Sequence, residues 1–273
     1  MTLPSLEADH DALCGAIRKT GLRVKERYLA RDAKVLEKQD RSPLTEADLE
    51  ANDMLYRCLM EGERRHYGWL SEESAEDPKR FDAQRTWIID PIDGTRSFIE
   101  GRPEFTICGA LLDGKDLVSS AIYNPITEEF FEATKGGGAF CNGRRLQAAP
   151  TQALNDASII ANKAMFMHPG WPRPWPQMRH AYKNSTSYRL ALVAAGAFDA
   201  TLALIRKAEW DTAPGTLIAQ EAGAKVTDHL GKAFTFNQVD PVHPSLLCTC
   251  PHLYDTFRDR LNHLPEDLRH IKI

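Results

Sequence analysis

The sequence predicts a chain of mixed helices and strands, large enough at 273 residues to bury one extensive core or two intimate ones. Three observations carry this. Apolar residues recur at helical spacing near the N-terminus, short apolar segments separated by turn dipeptides fill 105–133, and helix-length and strand-length stretches alternate after 184.

Leu6, Leu13, Ile17, Val24 and Tyr28 are spaced by 7, 4, 7 and 4, one face of an amphipathic helix that ends before the charged stretch at 31–41. Val35 and Leu36 precede a loop or strand end over 38–43. Thr45-Glu-Ala-Asp48 then opens a helix with Leu49, Leu55 and Leu59 as core candidates. Thr45 and Asp48 alone read as a capping box. Trp69-Leu-Ser71 is a short strand running into Glu72 and Glu73, which by themselves read as an acidic loop. The polar linker 77–84 is expected to be mobile.

Trp87-Ile-Ile-Asp90 is an apolar run ending in a carboxylate, and Pro91 and Asp93-Gly94 stop the strand there. Two carboxylates at a strand end beside free N–H groups suit a hard cation and a phosphate oxygen. A solvated turn has the same local signature. An EF-hand does not fit, because its twelfth position needs Glu and here holds Gly101.

Segments 105–112, 117–123 and 129–133 read as meandering antiparallel strands. The glycines of 136–138 lack a P-loop pattern and read as structural, followed by an Asn142-Gly143 hairpin turn. A boundary is expected in 147–156, giving halves 1–150 and 151–273. The Pro- and Trp-rich 168–176 reads as a surface loop, with a lid as the alternative. Leu190–Gly196 reads as a helix and Phe198–Ile205 as a strand. Asp211 is placed as the cap of a helix reaching Gly223, with Pro214 in its first turn. Strands over 226–231 and 245–249 and a closing helix over 253–261 complete the chain.

A net charge of −4 gives no basic field for a nucleic-acid polymer. The six cysteines are scattered, consistent with reduced thiols in a cytoplasmic protein. The acidic start (Glu7, Asp9, Asp11) offers no signal peptide, and no apolar run approaches a membrane span.

Taken together, Trp87-Ile-Ile-Asp90-Pro-Ile-Asp93-Gly94-Thr95, the earlier Glu72-Glu73, Thr45-x-x-Asp48, and the distant Trp210-Asp211-x-Ala213 resemble the inositol monophosphatase superfamily of magnesium-dependent, lithium-sensitive phosphatases. The resemblance implies a layered αβαβα sandwich of the sugar-phosphatase type, with an N-terminal α+β half and a C-terminal α/β half, in a chain that often forms homodimers. It implies two or three Mg²⁺ ions. Glu72, Asp90 and the Ile92 carbonyl would hold one, and Asp90, Asp93 and Asp211 a second. A third, weaker ion would lean on Glu72 and waters, and Glu72 is counted among the catalytic residues. It also implies that Thr95, polarised by Asp48, orients the attacking water, and that Gly94 and Thr95 N–H groups receive phosphate.

For the substrate, a small phosphate ester, the branch most resembled is the bacterial 3′(2′),5′-bisphosphate nucleotidases, through Glu104-Phe-Thr106, Ser185-Thr-Ser-Tyr-Arg189 and the Trp-Asp motif. Arg189 or Lys183 would then meet a second phosphate. Leu204 stands where inositol phosphatases carry a hydroxyl-binding Glu, and Glu209 is the nearby substitute considered. Inositol-1-phosphate, histidinol phosphate and fructose 1,6-bisphosphate are alternatives. A non-catalytic regulatory member and a two-metal nuclease are different-class readings.

Overall fold

The computed structural model describes residues 3–37, 43–265 and 268. Helix α1 (Leu6–Ala30) starts at Ser5, whose hydroxyl accepts from Ala8 N–H, and buries Leu13, Ile17 and Val24. The loop or strand end expected over 38–43 lies, up to residue 42, outside the described residues. β1 (Val35–Glu37) pairs antiparallel with β2 (Pro43–Thr45). Helix α2 (Glu46–Leu59) begins with a full capping box between Thr45 and Asp48. Leu55 and Leu59, one turn apart, are fully buried. Leu49 is not core but 42 % exposed, because six residues of helix rotate it off that face.

A seven-stranded sheet follows, in spatial order β3 to β9. β3 (Gly68–Ser71) is parallel to β4 (Arg85–Asp93). The short helix α3 (Thr95–Ile99) comes next. The remaining strands pair antiparallel in succession: β5 (Thr106–Asp113), β6 (Asp116–Asn124), β7 (Glu129–Thr134), β8 (Gly138–Cys141) and β9 (Arg144–Arg145). Pro91 does not end β4 as expected. Pairing shifts register between Asp90 and Asp93 and resumes with Asp93 opposite Thr106, so the proline sits in a bulge. Nor is the 77–84 linker loose. Arg80, 1 % exposed, donates to the Gln238 carbonyl at 2.7 Å and to Glu76 at 2.9 Å.

The second half supplies β10 (Ser158–Ile160), α4 (Lys163–Phe166), β11 (Arg179–Ala181), α5 (Thr186–Ala194) and β12 (Ala200–Ala203). Then come β13 (Lys207–Ala208), α6 (Glu209–Glu221), β14 (Lys225–Thr227), β15 (Val242–His243), β16 (Leu246–Thr249) and α7 (Tyr254–Leu261). Five of these strands form a second sheet in the order β11-β10-β12-β16-β14, while β13 pairs with β15. The glycine-rich turn is structural: Gly136 and Gly138 N–H groups donate to the Glu221 carboxylate at 2.8 and 2.9 Å.

The result is layered αβαβα. Helices α1 and α2 bury Ile17 and Leu55 against Trp87 and Ile89 on one face of the large sheet. Alternation along β4 sends Ile88 and Asp90 to the other face, where Ile88 meets Ala213 of α6. Helices α5 and α6 fill the space between the sheets. A single core unites residues of both halves, from Cys108, Ile122 and Phe131 to Leu190 and Leu217. The outer layer contains α7 and the 168–176 segment. That segment is no lid: Trp171 and Trp175 are buried, 5.4 Å apart in a T-shaped pair, and Trp171 Nε1 donates to the Met165 carbonyl. No helix among the described residues is long and apolar enough to cross a membrane.

Helices α5 and α6 cross closely because of Gly215, where a Cβ would meet Leu190 Cβ at 2.4 Å. Gly215→Ala is expected to force them apart and cost about 1–3 kcal/mol in urea unfolding. Since both helices begin at the cluster described next, turnover should fall along with stability.

Candidate active site

The bulge in β4 presents Asp90 and Asp93 together. One carboxylate oxygen from each lies within 4.8 Å of the other and of Cys108 Sγ. Asp90 Oδ1 accepts from Ile92 N–H at 3.1 Å, while Oδ2 is buried with no hydrogen-bond partner among the described residues. Burial pushes the Asp90 carboxyl well above its ordinary pKa. The charges of Glu72, Asp93, Asp211 and Asp48 push it further. The charges of these four acids, carried on the turn after β3, on β4, on α6 and on α2, are all felt at Asp90. Glu72 and Asp211 are half-buried at the ends of their elements.

Asp93 is gripped by the start of α5. Ser185 Oγ donates to Oδ2 at 2.8 Å, Thr186 N–H to Oδ1 at 3.1 Å, and Ser187 N–H to Oδ2 at 2.6 Å. Burial, with Asp211 second, raises the Asp93 pKa to about 6, opposed by Ser187, Ser185 and Lys207. Asp48 sits one layer behind. Its Oδ2 closes the capping box, accepting from Thr45 N–H at 2.8 Å and Thr45 Oγ1 at 2.5 Å. Its Oδ1 lies 3.1 Å from Thr95 Oγ1, which is also 3.1 Å from the Ile92 carbonyl oxygen. Burial lifts Asp48 to about 6. Gly94 and Thr95 head α3, so their N–H groups have no acceptor within that helix. Gly94 has φ 100°, and a Cβ there would come within 2.9 Å of the Glu104 carbonyl oxygen.

Several expected positions are corrected. Asp211 does not cap α6; Ala208 holds that position and Asp211 lies in the first turn, free to face Asp93. Glu209 does not reach the site. Its carboxylate is fully buried and accepts from Asn237 and Gln238 N–H groups at 2.6 and 2.9 Å. Arg189 is also buried, with Nη2 donating to Thr186 Oγ1 at 3.0 Å, so it backs α5 rather than lining an entrance. Lys183 is more accessible, 3.6 Å from Glu104 and over the Tyr188 ring.

Four participants were not expected from sequence. Ser185 and Ser187 clamp Asp93; a Ser-Thr-Ser run before a helix signals a cap but not which distant carboxylate it holds. Lys207 Nζ lies 2.9 Å from Thr186 Oγ1 and 3.7 Å from Asp211 Oδ2. Cys108 donates to Ser187 Oγ at 3.4 Å, and burial beside Asp90 and Asp93 keeps it a neutral thiol.

A buried carboxylate oxygen without a donor, placed among other acids, is a seat that a bound cation would relieve. With Cys108 kept as a neutral thiol, the carboxylates and the Ile92 carbonyl leave an oxygen donor set, which suits Mg²⁺ rather than a soft metal. Acids at strand ends, a backbone carbonyl and a hydroxyl–carboxylate pair define the class of metal-dependent phosphate-ester hydrolases. The sequence profile of the inositol monophosphatase family matches residues 6–259, and the chain belongs to that family of metal-dependent phosphomonoesterases. It is 37 % identical over 196 residues to the inositol-1-monophosphatase of Rhizobium meliloti (strain 1021), covering 69 % of this chain and 73 % of that protein. It is 30 % identical over 207 residues to the Nus factor SuhB of Pseudomonas aeruginosa, covering 72 % and 76 %. The crystal structure of the extragenic suppressor protein SuhB from Bartonella henselae superposes with a TM-score of 0.80 at 28 % identity, over 92 % of this chain and 97 % of that one. The Thermotoga maritima IMPase gives 0.81 at 26 % identity, over 93 % and 97 %.

Proposed function

We propose that the protein hydrolyses a small phosphorylated metabolite with Mg²⁺, preferring a 3′(2′),5′-bisphosphate nucleotide such as adenosine 3′,5′-bisphosphate. The observation that carries hydrolysis is the unpartnered Asp90 Oδ2 amid Glu72, Asp93, Asp211 and Asp48. Glu72, Asp90 and the Ile92 carbonyl would hold one ion, and Asp90, Asp93 and Asp211 another. When bound, Mg²⁺ supplies charge neutralisation for phosphate oxygens and acidifies a water. The chain's own work is positional. Ser185, Thr186 and Ser187 fix Asp93, and Gly94 and Thr95 N–H groups meet a phosphate oxygen. Thr95 Oγ1 orients the water and passes a proton to Asp48 Oδ1.

Lys183, a half-buried cation 3.6 Å from Glu104, supports the bisphosphate preference, together with Leu204, which cannot bind a sugar hydroxyl. The names of the relatives favour a second reading, inositol-1-phosphate. Phosphate release should be measured over both esters, histidinol phosphate and fructose 1,6-bisphosphate. The bisphosphate nucleotide should give the highest kcat/KM, chelation should abolish turnover, and lithium should inhibit it. Lys183→Met should raise KM for the bisphosphate roughly tenfold, about 1.4 kcal/mol, and leave monophosphates unchanged. Faster turnover of inositol-1-phosphate, with no effect of Lys183→Met, would replace the first reading by the second. No release from any ester would point to a regulatory member of the fold. Homodimer formation in the cytoplasm belongs to the same proposal and is read by sedimentation and fractionation.

A further inference from the structure

Outside the carboxylate cluster, on the opposite face of the large sheet, His10 and Cys14 lie one turn apart on α1 above Glu132 of β7. We propose that these three side chains form a second metal site, for a thiophilic divalent cation such as Zn²⁺.

The ligand atoms already stand close to where such an ion needs them. Cys14 Sγ is 3.6 Å from His10 Nε2 and 3.4 Å from Glu132 Oε2, and Nε2 and Oε2 are 3.8 Å apart. A tetrahedral zinc with bonds of roughly 2.0–2.3 Å sets its ligand atoms roughly 3.3–3.6 Å from one another. The triangle needs to shift by only a few tenths of an ångström. The His10 ring is also oriented: Nδ1 is 2.8 Å from Ser119 Oγ on β6. With the proton on Nδ1 donated to that hydroxyl, Nε2 offers its lone pair toward Cys14 and Glu132.

Access comes from a groove of about 820 Å³ lined by His10 and Glu132, with Glu7 and Asp11 outweighing Lys135 in its charge. A water from the groove would complete the tetrahedron. The imidazole and a thiol that faces the groove side of the sheet separate this site from the carboxylate cluster, whose Cys108 stays a neutral thiol bonded to Ser187. Without metal, the Cys14 thiol donates to Glu132. Binding exchanges the S–H bond for a sulfur–metal bond and releases that proton to the buffer, with no change of oxidation state.

The test uses the full chain in excess Mg²⁺, so that the carboxylate cluster is occupied. Zn²⁺ titration should show one tight site per chain with release of one proton, and Co²⁺ should give a thiolate-to-metal charge-transfer band. Cys14→Ser should abolish the band. Ser119→Ala, which leaves all three ligands in place, should weaken Zn²⁺ binding roughly 10- to 100-fold. Asp90→Asn should leave the band intact. A wild-type chain with no thiolate band, or a band that persists in Cys14→Ser, overturns the proposal. Should Cys14→Ser fail to fold, the wild-type spectrum and His10→Gln decide by the same criteria.

Discussion

Asp90→Asn is expected to abolish phosphate release while making the metal-free protein more stable. An Asn side chain can still accept from Ile92 N–H through its carbonyl, at the position where Asp90 Oδ1 accepts at 3.1 Å. Its amide then occupies the place of the buried, unpartnered Oδ2 and donates toward the surrounding acids. One of five mutually repelling carboxylates is removed, so a gain of about 1–2 kcal/mol follows, or roughly 2–8 °C in Tm. The same change removes the acid assigned to both ions, and kcat/KM should fall at least about a thousandfold. Mg²⁺ should raise the Tm of the wild type but not of the variant. Near-full activity in Asp90→Asn would refute the assignment. Asp93→Asn is the less clean probe. Asp93 accepts three donors across both oxygens, and an amide nitrogen would face one of them.

Thr95→Val should lower kcat by about 10²- to 10⁴-fold while KM and Mg²⁺ affinity change little. Valine keeps the shape and removes only the hydroxyl that lies 3.1 Å from both Asp48 Oδ1 and the Ile92 carbonyl. Stability should fall by about 1 kcal/mol, since a buried hydrogen bond is lost. Thr95→Ser, which keeps the hydroxyl, should recover most of the rate. Single-turnover kinetics separate this outcome from a binding defect. A Thr95→Val enzyme limited by KM alone would assign Thr95 to substrate holding instead of water orientation.

Much of the candidate site was legible before the fold, because strand ends and helix starts announce themselves locally. Asp90, Asp93 and Gly94 follow an apolar run into a turn, and Thr45 with Asp48 spell a capping box whose second carboxylate oxygen remains available to Thr95. The meander from 105 to 133 and its glycine turn were equally plain. What was hidden depends on contacts between distant segments. Nothing near Ser185 or Ser187 indicates that they hold Asp93, about ninety residues earlier. Glu209 resembled a substrate ligand because it stands two residues from Asp211, yet its helical position turns it toward Asn237 and Gln238. The tryptophans at 171 and 175 sit in a proline-rich stretch that reads as surface, while Trp175 packs against Phe166 and Phe257 and Trp171 packs against Trp175. Propensity fixed the backbone there and left side-chain destination open.

Residues 237 and 238 make one further point about how the acids keep their spacing. Their N–H groups hold Glu209, at the head of the helix that bears Asp211. The Gln238 carbonyl and the Asn237 amide hold Arg80, in the segment that follows Glu72. A single two-residue latch thus ties the segment after Glu72 to the head of the helix that carries Asp211. The relative placement of two acids that repel one another is therefore anchored by a dipeptide that contributes no charge of its own.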